Sequence, residues 1–221
     1  MFFGVIVAGG IGSRMGADIP KQFLMLSGRP IIIHTLKKFL ACDALDAVYV
    51  GIHPEWVTYM ENLVGEYIEE PDWKRIHLVP GGGERNDTIM NVIDQIEEDY
   101  GTEEVHYIIT QDAVRPFVTD ELIRAHVMAV EQYDAVDTAV PAVDTIILSK
   151  DGKVIDDIPE RRLLYQSQTP QSFRMDLLKK LYLGLSADEK GILTDACKIT
   201  FWQGNADPFP FSRRNQAFVS I

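Results

Sequence analysis

The run Ala8-Gly9-Gly10-Ile11-Gly12-Ser13-Arg14-Met15-Gly16, followed by Ile19-Pro20-Lys21-Gln22-Phe23, sets a glycine-rich turn beside two cations. Glycines let backbone N–H groups converge and approach a polyphosphate closely. Arg14 and Lys21 beside such a nest suit the charge that builds on a phosphorus under attack. As solvated surface cations they would do neither. The spacing excludes a dinucleotide fingerprint, because Met15 stands where that pattern needs glycine. It excludes a Walker loop as well, since no Gly-Lys-Ser/Thr follows.

A second run, Gly81-Gly82-Gly83-Glu84-Arg85-Asn86-Asp87-Thr88, permits close backbone approach to a base or ribose. Asn86 is also a good helix cap, which needs no ligand to explain it. Arg85 is equally open to a surface role. The third run is Gln111-Asp112-Ala113-Val114-Arg115-Pro116-Phe117. A carboxylate just past a hydrophobic strand is well placed to hold Mg²⁺ bridging phosphates. Arg115 could bind a substrate phosphate through both arms of its guanidinium. Alternatively, Asp112 and Arg115 form an ion pair that shapes the turn before Pro116.

Two further runs carry hydrogen-bonding side chains without naming a reaction: Ile158-Pro159-Glu160-Arg161-Arg162 with Tyr165 to Arg174, and Leu193-Thr194-Asp195-Ala196-Cys197. In the latter, Thr194 or Asp195 suits a helix cap. No Ser/His/Asp or Cys/His set is visible. The five histidines (34, 53, 77, 106, 126) lack metal-ligand spacing. Cys42 and Cys197 lie far apart in apolar segments, which predicts buried free thiols in a reducing compartment.

These residues must be positioned by regular elements. Short apolar runs predict strands over residues 2–8, 47–52, 76–79, 105–110 and 135–140. Amphipathic periodicity predicts helices over 30–42, 55–69, 86–98 and 119–132. Strand-helix-strand repetition implies βαβ units and a mostly parallel sheet covered on both faces. In such sheets ligands bind at the carboxyl ends of the strands, and the three polar runs each follow an apolar strand. Past residue 143 the pattern changes. Asp151-Gly152 between two β-type runs signals a hairpin, either an arm packing on a neighbour or a flap on its own domain. No linker or repeat appears, so one domain is expected over residues 1–221, with an arm at about 143–160.

Composition sets outer limits. The 33 acidic against 21 basic residues give a formal charge of −12. That balance disfavours non-specific binding to nucleic acid or anionic membrane. A few clustered cations can still reverse the field inside a pocket. The N-terminus lacks the basic residues and long apolar run of a signal peptide, and no stretch reaches membrane-spanning length. A cytoplasmic protein is expected.

Taken in order, Ala-Gly-Gly-x-Gly-x-Arg-Met-Gly, Pro-Lys-Gln, Gly-Gly-x-x-Arg, Asp-Ala-x-Arg-Pro-Phe, Asp-Thr-Ile, Gln-Thr-Pro-Gln-x-Phe and Thr-Asp-Ala resemble the CTP-dependent polyol-phosphate cytidylyltransferases. These act on 2-C-methyl-D-erythritol 4-phosphate, for isoprenoids, or on ribitol 5-phosphate, for teichoic acid. Residues 142–146, 158–161, 164–171 and 193–199 look closer to the ribitol branch. The resemblance implies an α/β, Rossmann-like, nucleotide-diphospho-sugar transferase-like fold with an inserted β-hairpin arm. It implies the nucleotidyltransferase reaction of CTP with a polyol phosphate, yielding a CDP-polyol and pyrophosphate.

By the same resemblance, Arg14, Lys21 and Arg161 are catalytic, and Asp112 holds Mg²⁺. The nucleotide would lie on Val7, Ala8, Gly9, Gly10 and Gly12, on Gly82, Gly83, Glu84, Arg85, Asn86 and Thr88, and on Ala113. Arg115, Thr145 and Thr194 would receive the polyol phosphate. The arm implies a homodimer with isologous symmetry, Thr145 and Arg161 serving the neighbour's site.

The match fades after residue 200. The family carries a late lysine in Asn-x-Lys-x-Thr, whereas the last lysine here is Lys198. Residues 201–221 lack helical periodicity, and Pro208 and Pro210 break regular structure. Such a tail also motivates a second class of protein, a nucleotide-binding remnant without turnover. A dinucleotide-dependent oxidoreductase fits poorly, because no ribose-binding acid is suitably placed.

Overall fold

The computed structural model describes residues 1–10, 19–193, 195–203 and 216–220. Strand β1 (Phe2–Ala8) leads to a small hairpin of β2 (Met25–Leu26) and β3 (Arg29–Pro30), then helix α1 (Ile31–Ala41). Next come β4 (Ala47–Ile52), α2 (Val57–Tyr67), the short α3 (Glu70–Trp73), β5 (Ile76–Pro80) and α4 (Arg85–Tyr100). β6 (Tyr107–Asp112), α5 (Asp120–Val130) and β7 (Ala135–Pro141) follow. The chain then runs through the arm to β8 (Tyr165–Arg174), α6 (Met175–Leu183), α7 (Ala187–Ile192), α8 (Ala196–Gln203) and β9 (Gln216–Ser220).

Seven strands form one sheet in the order β5-β4-β1-β6-β8-β7-β9. Pairs β5–β4, β4–β1, β1–β6 and β7–β9 are parallel, and β8 alone runs against its neighbours. The architecture is therefore the expected mostly parallel α/β sheet with helices on both faces. Alternation along the strands explains the layering. Phe3, Val5, Ala47 and Tyr49 face a core with Ile89 and Ile93 of α4, Leu178 and Leu181 of α6, and Ile199 of α8. Ile6, Ala8, Val48 and Val50 face the opposite core, with Ile32, Leu36 and Phe39 of α1, Met60 of α2 and Ile123 of α5. Strands buried on both faces read as continuous apolar runs, which is why residues 2–8 and 47–52 are found where the sequence puts them.

Several elements differ from expectation. β8 and α6 are additional, and β8 is the antiparallel strand. The arm is less regular than a hairpin: a single bridge joins Leu148 to Asp157. Its tip is held by Asp151, whose carboxylate accepts from the N–H groups of Lys153 (2.8 Å) and Val154 (3.0 Å). Gly152 sits there at φ +70°. Finally, residues 216–220 of the tail form β9, which pairs in parallel with β7. Phe218 and Val219 favour a pleated surface, and the edge of β7 offers unpaired backbone groups. The Phe218 ring packs on Tyr165 at 4.9 Å between centroids. Among the described residues, no helix is long and apolar enough to cross a membrane.

Candidate active site

The carboxyl ends of β1, β5 and β6 converge on a cavity of about 330 Å³. β1 delivers Val7, Ala8, Gly9 and Gly10 to its wall. Lys21 reaches the same cavity from a 3₁₀ turn, Lys21–Phe23. That turn is fixed from below. Phe23 is buried against the rings of Trp56 and Tyr59, at 5.2 and 4.9 Å. The buried Gln22 amide donates to the carbonyls of Ala8 (3.0 Å) and Gly10 (3.1 Å). Gln22 thus ties the cation-bearing turn to the glycine turn and also lines the cavity.

The second wall is the loop after β5, contributing Gly82, Gly83, Glu84 and Arg85. Thr88 organises it: its hydroxyl accepts from the Gly82 N–H (3.1 Å) and donates to the Glu84 carbonyl (3.1 Å). Glycine is required at two points by close approach. A Cβ on Gly9 would lie 2.6 Å from the Thr88 hydroxyl oxygen, and one on Gly82 would lie 2.3 Å from the Asp87 Cβ. The N-cap of α4 is Glu84, whose N–H donates to Asp87 (3.1 Å). Asn86 is therefore not the helix cap. It lies inside the first turn, buried, with its amide donating to the Leu193 carbonyl (2.7 Å). Asn86 and Thr88 support the loop from beneath rather than lining the cavity.

The third wall carries Asp112, Ala113 and Val114. The backbone after Asp112 is pinned, with Ala113 N–H donating to Val7 (3.1 Å) and the Thr35 hydroxyl donating to Ala113 (2.9 Å). Asp112 lies between two guanidiniums: Arg85 Nε is 3.4 Å from Oδ1, and Arg115 Nε is 3.1 Å from Oδ2. Of the alternatives for Asp112 and Arg115, the ion pair is present. Asp112 lines the cavity that Lys21 also lines, and Arg115 stands behind Asp112, outside the lining. One carboxylate is a poor cage for a dedicated metal, and no group of three His, Cys, Asp or Glu side chains that could hold one exists among the described residues. One carboxylate does fit Mg²⁺, which takes most of its oxygens from substrate phosphates and water.

The remaining expected residues lie elsewhere. Thr145 is exposed on the arm. Arg161 is exposed on a 3₁₀ turn, donating to the Val143 carbonyl (3.0 Å). Gly12, Arg14 and Thr194 lie outside the described residues. Asp195 caps α8, accepting from the Cys197 N–H at 2.8 Å. Both cysteines are free thiols, Cys42 buried as expected and Cys197 only half-buried, and desolvation raises the pKa of each, so neither is an activated nucleophile. Gln22, Gln168 and Gln171 were not singled out as site residues from the sequence. The Pro-Lys-Gln and Gln-x-Gln-Thr-Pro-Gln runs were the available signal.

Glycine turns, a fixed cation and a carboxylate gathered at strand carboxyl ends define an α/β nucleotide-binding site of the nucleotidyltransferase kind. Residues 2–204 match the family model for 2-C-methyl-D-erythritol 4-phosphate cytidylyltransferase, IspD. The chain belongs to this family. Similar solved structures include 4-diphosphocytidyl-2C-methyl-D-erythritol synthase from Anaerococcus prevotii (TM-score 0.75, 22 % identity, covering 100 % of this chain and 86 % of that one). Another is the Francisella tularensis 2-C-methyl-D-erythritol 4-phosphate cytidylyltransferase (TM-score 0.73, 23 % identity, covering 99 % and 89 %). The Thermus thermophilus enzyme is similar too (TM-score 0.67, 22 % identity, covering 98 % and 87 %). At these identities the structures establish the fold, and the family model establishes the enzyme class.

Proposed function

We propose that this chain transfers the cytidylyl group of CTP to 2-C-methyl-D-erythritol 4-phosphate, releasing pyrophosphate. The family match over residues 2–204 carries this reading. A phosphate oxygen of the polyol phosphate attacks the α-phosphorus in line. The bond from that phosphorus to the β-phosphate bridging oxygen breaks, and pyrophosphate leaves. No protein nucleophile is needed, since positioning and charge stabilisation supply the catalysis.

Within this scheme the glycine walls at 8–10 and 82–85 seat the nucleotide on backbone groups. Lys21, with Arg14, offsets charge in the transition state. Asp112 would hold Mg²⁺, which neutralises phosphate charge. Arg115, paired with Asp112, would receive the phosphate of the second substrate. Arg161, Thr145 and Thr194 would complete that end, the first two from a partner copy. The exposed apolar side chains of the arm, among them Ile147, Val154 and Ile155, support a homodimer through it. A cytoplasmic location suits these substrates.

Ribitol 5-phosphate is the second reading, favoured by the segments at 142–146, 158–161, 164–171 and 193–199. Pyrophosphate release from CTP and Mg²⁺, measured side by side with the two polyol phosphates, decides between them. Higher kcat/KM with methylerythritol phosphate is the expected outcome, and preference for ribitol phosphate would reverse the assignment. Silence with both, from folded protein that binds CTP, would favour a nucleotide-binding protein without turnover.

A further inference from the structure

Antiparallel strand β8 places two glutamines behind the charged rim of the cavity. Gln168 Oε1 accepts from Arg115 Nη1, and Gln171 Oε1 accepts from Arg85 Nη2 at 3.3 Å. Each of these arginines also binds Asp112. The carboxylate is thus held by two guanidiniums, and each guanidinium is held in turn by a glutamine of one strand.

Gln171 is the buried member, 1 % exposed. Its Nε2 faces Asp137 Oδ1 at 3.2 Å and the two oxygens of Asp195 at 3.2 and 3.1 Å. An ionised carboxylate only accepts, and a guanidinium only donates. Set between the two, the amide has one satisfactory orientation, with its oxygen toward Arg85. Turning it over would oppose NH₂ to guanidinium and carbonyl to carboxylate. The carboxylate pair therefore locks the acceptor that faces Arg85.

Arg85 lines the cavity, and its third guanidinium nitrogen, Nη1, is buried without a partner among the described residues. A buried N–H left without an acceptor is unfavourable, and a phosphate oxygen would supply one. A neutral amide also holds a guanidinium without cancelling its charge, as a glutamate would. We infer that Gln171 is a positioning residue, which keeps the Arg85 guanidinium oriented to bind the triphosphate of the nucleotide. The inference rests on the CTP reading above. It explains why β8, polar along most of its length, is threaded through the middle of the sheet beside the site.

The test is titration calorimetry of CTP and of CMP against the intact chain and its variants Gln171→Met, Arg85→Met and the double substitution, with melting temperatures alongside. Gln171→Met is expected to weaken CTP about tenfold, the scale of one charge-assisted hydrogen bond, and to leave CMP nearly unchanged. In the Arg85→Met background the same substitution should add nothing. Should Gln171→Met fail to fold, Gln171→Asn serves. One methylene shorter, its amide can stay with the carboxylates yet withdraw from Arg85, and the same selective loss is expected. Unchanged CTP affinity, equal weakening of CTP and CMP, or losses that multiply in the double variant would each overturn the inference. Absence of CTP binding by the wild-type chain would overturn the nucleotide reading itself, and this inference with it.

Discussion

Lys21 is exposed at the cavity while its neighbours Gln22 and Phe23 are buried beneath it. Its charge can therefore be removed without disturbing the turn that carries it. Lys21→Met is expected to lower kcat by about 10²–10³, the usual cost of losing one group aimed at developing charge, with little change in melting temperature. Steady-state kinetics and thermal denaturation check this together. A second residue-scale effect concerns stability. His126 is fully buried, with Nδ1 2.9 Å from the Ser172 hydroxyl and Nε2 2.8 Å from the Thr138 hydroxyl. Burial pushes its pKa down to about 4 from 6.5. Between those values the unfolded chain takes up a proton that the folded chain refuses, so stability falls as pH drops from 6.5 toward 4. The loss should reach about 3 kcal/mol and level off below pH 4. Urea denaturation across that range should show it, and His126→Gln should flatten the difference.

At the scale of elements, the loop between β5 and α4 depends on the contact between Gly82 and Asp87. A methyl at Gly82 would meet the Asp87 Cβ at 2.3 Å. Gly82→Ala should cost about 1–3 kcal/mol, as overpacking does, and weaken CTP binding at the same time. Thermal denaturation and calorimetry read the two effects from one sample. The strands that the sequence reveals most plainly are those buried on both faces, such as β1 and β4. β8 is hidden for a definite reason. Its segment Tyr165-Gln-Ser-Gln-Thr-Pro-Gln-Ser-Phe-Arg174 carries mostly polar side chains with a proline inside it, and a proline within a run argues against a central strand. Those polar side chains are satisfied by Arg85, Arg115 and the carboxylates across the sheet, partners that no local pattern discloses. β9 is hidden likewise, since a five-residue edge strand exists only because β7 offers it a ladder.

At the scale of the whole molecule, the arm presents a cluster of exposed apolar side chains. Val143, Val154, Ile155 and Ile158 are all exposed, an unusual outlay of apolar surface for a protein with a formal charge of −12. A homodimer formed through the arm should elute at twice the chain mass by light-scattering chromatography. Val154→Asp together with Ile155→Asp should shift it to monomer. If Thr145 and Arg161 serve the partner's cavity, that variant also loses turnover while one chain still binds CTP.

The sequence alone determined the α/β class, the order of nine major elements from β1 to β7 and the three chemistry-bearing runs at 8–23, 81–88 and 111–117. These signals are local: apolar periodicity reports burial, and glycine, proline and charge cluster where the chain turns at a strand end. Only the tertiary structure decided how the runs meet. Asp112 stands between Arg85 and Arg115, residues 27 positions before it and 3 after it. Gln171, a further 59 residues on, fixes one of them. The Gln171 contact depends on β8 inserting antiparallel between β6 and β7. Strand pairing at such separation is selected by the packing of the whole sheet, which no window of the sequence contains.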